Sequence, residues 1–197
     1  MRKFLSVLLA MAMVLSLTVT GFAIEDTAAA TDAETKTEAT MAGKTVILHT
    51  NDVHGAVDGY AYIAQLKADY EAKGAEVILV DAGDYSQGKT YVSVTKGADA
   101  VTMMNAAGYD VVTLGNHEFD VGQQTLAEAI DYCRFPVICA NMVSENSPIP
   151  QLKPYVILDR EGEKFAFVAA VTNYGYNNHP DGHDAIFEGL RFTDAVQ

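Results

Sequence analysis

A chain of 197 residues in which 49% of side chains are hydrophobic can bury a core of its own, and the length suits one domain with tails. Its formal net charge of −13 opposes contact with a phosphate polymer, which excludes a protein that coats DNA or RNA. Small phosphates stay open as ligands, because divalent cations invert the field of an acidic site.

The first 23 residues place Arg2 and Lys3 before an apolar stretch, Phe4 to Val19, and close on small residues ending at Ala23. This layout predicts a secretory signal peptide over 1–23 rather than a stable membrane span, since the apolar stretch is short and a Gly-x-Ala pattern follows it. The expected location is secreted or extracellular, at the cell surface or in the periplasm. Loss of the leader deepens the negative charge by two units, because it carries Arg2 and Lys3 and no acidic residue. Residues 24–43 are rich in Ala, Thr, Asp and Glu, and no large apolar side chain follows Ile24 until Met41. They predict a flexible linker ahead of a domain over 44–197.

Within that domain Thr45–Leu48 is a β-prone apolar run and predicts the first strand. Residues 60–74 carry Tyr62, Ile63, Leu66 and Tyr70 at helical spacing and end on Gly74, a C-cap signal. The segment AEVILVDAGD predicts a second buried strand, and GADAVTMMNAAG a helix that stops at Gly108. A third strand over YDVVTLGNHE, a helix over GQQTLAEAIDYC and a fourth strand over FPVICAN follow. YVILDREGEKFAFVAAVT predicts a β-hairpin turning at Arg160–Glu163. Near the end, Thr193 or Asp194 offers an N-cap for a helix that has only begun at Gln197. Alternation of strands and helices predicts parallel βαβ units, and strands apolar throughout predict a sheet covered on both faces, so the fold class is α/β. Cys133 and Cys139 are expected as small buried residues, one at a helix end and one in a strand, although pairing is open to them in an oxidising compartment.

Each strand empties into ligand-grade side chains. The first runs into Asp52 and His54, the second into Asp81 and Asp84, the third into Asn116 and His117. The clusters recur at roughly 30 residues, the length of one βαβ unit. Strands joined that way run in the same direction, so all three clusters are expected at the carboxyl edge of one parallel sheet, where α/β proteins bind ligands. Carboxylates, a carboxamide and imidazoles with no thiolate nearby suit Mn, Zn, Fe or Mg rather than a cysteine-held structural zinc. Asp81 reads equally well as a partner that orients a ligand and as a carboxylate at the core edge. Glu118 reads as structural, and His49, His179 and His183 as histidines outside the ligand set.

The blocks ILHTNDVHG, DAGDYSQG, TLGNHEFDVG and CANMV resemble, in order and spacing, those of the metallophosphoesterase (calcineurin-like phosphoesterase) superfamily. The wording is similar to its secreted 5′-nucleotidase and 2′,3′-cyclic-nucleotide phosphodiesterase branch, over residues 44–197. The resemblance implies a four-layered sandwich of two sheets flanked by helices. It implies two divalent metal ions (Mn, Zn, Fe, Mg or Ca) that activate water against a phosphoester of a small nucleotide. Asp52 and His54 would hold the first ion, Asp84 would bridge both, and Asn116 would bind the second. His117 would face the phosphoryl group, with Asp120 fixing its orientation. The family pattern continues with a His block and a Gly-His-x-His block that have no counterpart before Gln197, and TNYGYNN departs from the Thr-Pro-Glu wording usual in that branch. The chain is therefore expected to be the N-terminal part of the catalytic domain, C-terminally truncated. The alternatives are a fragment that only binds metal, or a hydrolase of other small phosphoesters such as cyclic nucleotides or nucleotide sugars.

Overall fold

The structure, a computed structural model, describes residues 40–174 and 177–195. The expected leader, most of the linker and the last two residues of the expected terminal helix lie outside the described residues.

Four strands form one parallel sheet in the order β1 (Thr45–Thr50), β2 (Glu76–Asp81), β3 (Val111–Thr113), β4 (Val137–Ile138). β1 and β2 pair over six residues, from Thr45 opposite Glu76 to Thr50 opposite Asp81. Parallel neighbours need long crossovers, and helices supply them. The first is α1 (Asp58–Ala72), then α2 (Thr90–Val94) and α3 (Ala98–Ala107), then α4 (Gln123–Tyr132). Gly108 ends α3 as its sequence position predicts: at φ 74° it turns the chain left-handed, and its N–H donates to the carbonyl of Met104. The strand-and-helix reading between Thr45 and Ile138 thus holds, with α2 as an addition that no periodic pattern announces.

Two strands are shorter than their apolar runs. β3 stops at Thr113 because Gly115 and Asn116 turn the chain into a 3-10 turn, His117–Val121. β4 keeps two residues of FPVICAN, and Cys139 and Asn141 bond instead to segments around Lys153 and Val171. The hairpin β6 (Tyr155–Arg160) and β7 (Glu163–Val168) turns on Glu161 and Gly162, both with positive φ, which is type I′ chemistry. β5 (Met142–Ser144) and β8 (Leu190–Phe192) form an antiparallel pair that the sequence reading did not contain.

The core is one cluster built around Leu79, Val92, Met104, Leu114, Phe119 and Leu126. Phe119 packs with its ring centroid 5.1 Å from that of Phe187 and 5.9 Å from that of Phe192, which pins the 3-10 turn to the segment carrying β8. Coverage of the sheet on both faces holds for β2, where Val77, Ile78 and Leu79 are buried, and fails for β1. β1 is an edge strand, and Ile47 is 50% exposed. Among the described residues no helix is long and apolar enough to cross a membrane.

Candidate metal centre

Three loops leave the carboxyl ends of β1, β2 and β3 and meet through their backbones. The middle loop spends its carbonyls on the first: the Asp52 N–H donates to Gly83 (3.1 Å) and the His54 N–H to Asp84 (3.0 Å). Against the third it packs without room for side chains. A Cβ on Gly83 would lie 2.3 Å from the Gly115 nitrogen, and a Cβ on Gly115 would lie 2.1 Å from Asp84 Oδ1. Glycine at both positions lets two backbones touch.

This packing holds three non-glycine residues at positive φ: Asp52 at 52°, His54 at 46° and Asp84 at 61°. Left-handed backbone is costly for such residues and gathers where a site dictates geometry. Here it gathers the expected ligands. His54, Asp84 and His117 each offer a ligand atom, all within 4.8 Å of one another, and the two imidazole rings sit edge to face at 5.1 Å. Asp52 Oδ1 lies 3.6 Å from His54 Nε2. Asp84 Oδ1 accepts the His117 N–H at 2.9 Å.

Burial pushes the Asp84 carboxyl up, and the Asp52 carboxyl beside it pushes the same way, while the N–H and charge of His117 pull it down. Two carboxylates held this close gain most from a cation between them. The donor set of carboxylates and imidazoles fits a divalent ion of the Mn, Zn, Fe or Mg class. Asn116 donates its Nδ2 to the carbonyl of Asp181 at 3.2 Å. Of the two ends of a carboxamide only the nitrogen can donate to a carbonyl, so this contact identifies the nitrogen end and leaves Oδ1 as the end available to a cation.

His117 Nδ1 lies 2.7 Å from Asp120 Oδ2. Burial works to lower its pKa, but the bond to Asp120 and the charges of Asp84, Asp120 and Glu118 outweigh it, and the imidazole is held above its ordinary 6.5. With Nδ1 engaged, Nε2 is the nitrogen open to other partners.

Contacts describe two neighbours, Asp81, which the sequence left open, and Glu118, which it read as structural. Asp81 is buried, and its carboxylate accepts from Thr50 Oγ1 at 2.5 Å and from the Gly83 N–H at 2.8 Å, tying the ends of β1 and β2 together. Burial raises its pKa to about 7 against those two bonds. Glu118 is fully buried and accepts N–H bonds from the loops after β2 and β3. Asp181 was missed, because a backbone carbonyl acting on a side chain 65 positions away leaves no trace in residue type. His179 stays outside the ligand group: its Nε2 lies 3.2 Å from Asp184 and its ring stacks on Phe187 at 4.4 Å.

The profile of the calcineurin-like phosphoesterase family matches residues 45–189, which contain every one of these loops. The chain belongs to this family. Among curated phosphoesterases, the 5′-nucleotidase of Vibrio cholerae serotype O1 is 32% identical over 168 residues. That match covers 80% of this chain and 30% of the relative, so the chain spans under a third of that protein's length. Among solved structures, the NAD nucleotidase of Haemophilus influenzae superposes with a TM-score of 0.62 at 28% identity, covering 76% of this chain and 29% of that one. The 5′-nucleotidase precursor of Thermus thermophilus superposes with a TM-score of 0.66 over 76% of this chain and 32% of its own. At 24% identity that likeness bears on the fold alone, and it agrees with a parallel sheet flanked by helices.

Proposed function

We propose that this chain contributes the metal centre of a secreted phosphoester hydrolase acting on small nucleotides, a 5′-nucleotidase-like enzyme. The observation that carries the reading is the convergence of Asp52, His54, Asp84 and His117 at the carboxyl edge of one parallel sheet, with His117 braced by Asp120. Nucleotide substrates are supported by the relatives named above, and export by the leader-like residues 1–23.

Two divalent ions fit the donor set. Asp52 and His54 would hold one, Asp84 would be shared, and Asn116 would present Oδ1 to the other. When bound, such ions supply Lewis acidity toward phosphoryl oxygens and acidify water. Asp120 keeps the Nδ1 side of His117 occupied and so turns Nε2 toward the substrate. The charged imidazole there donates a hydrogen bond to a phosphoryl oxygen, or its proton to the departing alkoxide.

A second reading makes His117 a metal ligand, favoured by its ligand atom lying within 4.8 Å of those of His54 and Asp84. His117→Ala separates the two. If His117 acts on the phosphoryl group, turnover falls by about 10²–10⁴-fold while bound metal is unchanged. Loss of metal in step with turnover would make it a ligand.

The main test is release of phosphate from AMP by the purified chain with added Mn²⁺. Asp84→Asn should lower release by more than the roughly 10–100-fold typical of losing a group that only orients a ligand. A wild-type chain that binds Mn²⁺ but turns over no nucleotide, cyclic nucleotide or nucleotide sugar would leave a metal-binding protein without hydrolase activity.

A further inference from the structure

Glu118 is a carboxylate with no exposed surface, placed beneath the loops that carry the proposed metal ligands. Its four acceptor directions are all used by backbone N–H groups. Oε2 accepts from Asp84 (2.8 Å) and Gly115 (2.6 Å), and Oε1 from Tyr85 (2.8 Å) and Ser86 (3.0 Å). A buried acid in this arrangement serves as an acceptor only, which matches its ionised form. Burial pushes the Glu118 carboxyl up, and the N–H bonds from Asp84, Gly115 and Ser86 pull against it.

The four donors belong to two different loops. Three come from the loop after β2, and the fourth from the loop after β3. The single oxygen Oε2 joins them, bonding Asp84 on one side and Gly115 on the other. The middle loop has already given the carbonyls of Gly83 and Asp84 to the loop after β1. Its amides go to Glu118, so both edges of its backbone are bound. Ser86 adds a third tie, its Oγ donating to the carbonyl of His117 at 3.2 Å. What this clamp holds in place is Asp84, whose left-handed backbone at φ 61° aims the carboxylate at His54 and His117.

We propose that Glu118 is a positioning residue, a buried acceptor that clamps the Asp84 and Gly115 loops together and so sets the geometry of the metal centre without touching metal or substrate. This rests on the reading that Asp84 holds cations.

The test measures Mn²⁺ affinity by calorimetry, and the visible spectrum of bound Co²⁺, on the full chain. Glu118→Gln keeps the size but turns an N–H₂ toward two backbone donors. It should weaken Mn²⁺ by about 10–100-fold and shift the Co²⁺ bands. Phe119→Leu is the control. It thins the same 3-10 turn from the core side, so it should lower thermal stability with affinity and spectrum unchanged. Equal loss of affinity in both variants, or an unchanged spectrum in Glu118→Gln, would overturn the positioning role. If Glu118→Gln fails to fold, amide exchange of the wild type decides. The N–H groups of Asp84, Tyr85, Ser86 and Gly115 should exchange slowly and as one group, and fast exchange at Asp84 and Gly115 would overturn the clamp. A wild-type chain that binds neither Mn²⁺ nor Co²⁺ would instead refute the proposed function, and slow exchange would leave the clamp standing by itself.

Discussion

His117 shows how far a single residue is set by its immediate partners. Burial alone would make it a poor base and a neutral ring, yet the bond to Asp120 and the surrounding carboxylates hold its pKa above 6.5. Nuclear magnetic resonance titration of the metal-free chain should therefore find His117 charged beyond the range of a free histidine, and Asp120→Asn should lower its midpoint. The sign for stability follows from linkage. A folded pKa above the unfolded one stabilises the protein fully below the unfolded value, and that contribution is lost as pH rises through the folded value. Asp120→Asn should reduce this slope, with Asp84 and Glu118 still acting on the ring, and a midpoint unmoved by the substitution would show that the pair does not govern the ring. The His117–Asp120 pairing is what the family resemblance of TLGNHEFDVG implies, and the 3-10 turn puts the two side chains in contact. Sequence does not predict that Asp84, from another loop, adds to the same shift.

At the scale of elements, the site is a product of how strands end. β1, β2 and β3 stop where glycine and left-handed residues turn the backbone, and the loops then pack on one another instead of on side chains. Two glycines separate the contributions. At Gly108, which caps α3, an added Cβ meets Lys67 Nζ at 3.4 Å, so Gly108→Ala should cost only the left-handed penalty, about 1–2 kcal/mol. Gly83 has the same kind of φ, at 101°, but its added Cβ would stand 2.3 Å from the Gly115 nitrogen. Gly83→Ala should cost distinctly more in chemical denaturation and weaken metal binding, because backbone has to move. Equal cost at both sites would mean that the loops are not in the contact described. The caps were readable as punctuation after helical runs, whereas the loop contact was not, since it joins chain positions a full βαβ unit apart.

Across the whole molecule, long-range ties hold the flanking segments to the sheet. Arg160 on the hairpin reaches Glu76 at 2.9 Å and Asp110 at 2.5 Å, and Lys67 on α1 lies 3.5 Å from the same Asp110. Asp110 also accepts the Leu79 N–H at 2.9 Å, so one carboxylate serves α1, β2 and β6. The two cysteines are free thiols. Burial pushes Cys133 up to about 12 and raises Cys139 as well, so neither is a thiolate near neutral pH. An aromatic disulfide reagent should label the native chain slowly and both thiols promptly once it is unfolded. Rapid labelling of the native chain would contradict the packing of α4 and β4 against the core.

What the sequence determined by itself was the grammar of the fold and where along it the ligand-grade side chains fall. Apolar runs of strand and helix period, glycine stops and polar strand ends at regular intervals dictate a parallel sheet with Asp52, His54, Asp84 and His117 along one edge. These signals are local: each depends on neighbours within one element. The tertiary structure alone decided the rest. It made β1 an edge strand with Ile47 half exposed, paired β5 with β8, turned Asn116 by a carbonyl of Asp181, and put Glu118 under two loops. Those outcomes are governed by backbone N–H and C=O groups meeting across long stretches of chain. Every residue but proline carries both groups, so residue type cannot say which of them will meet.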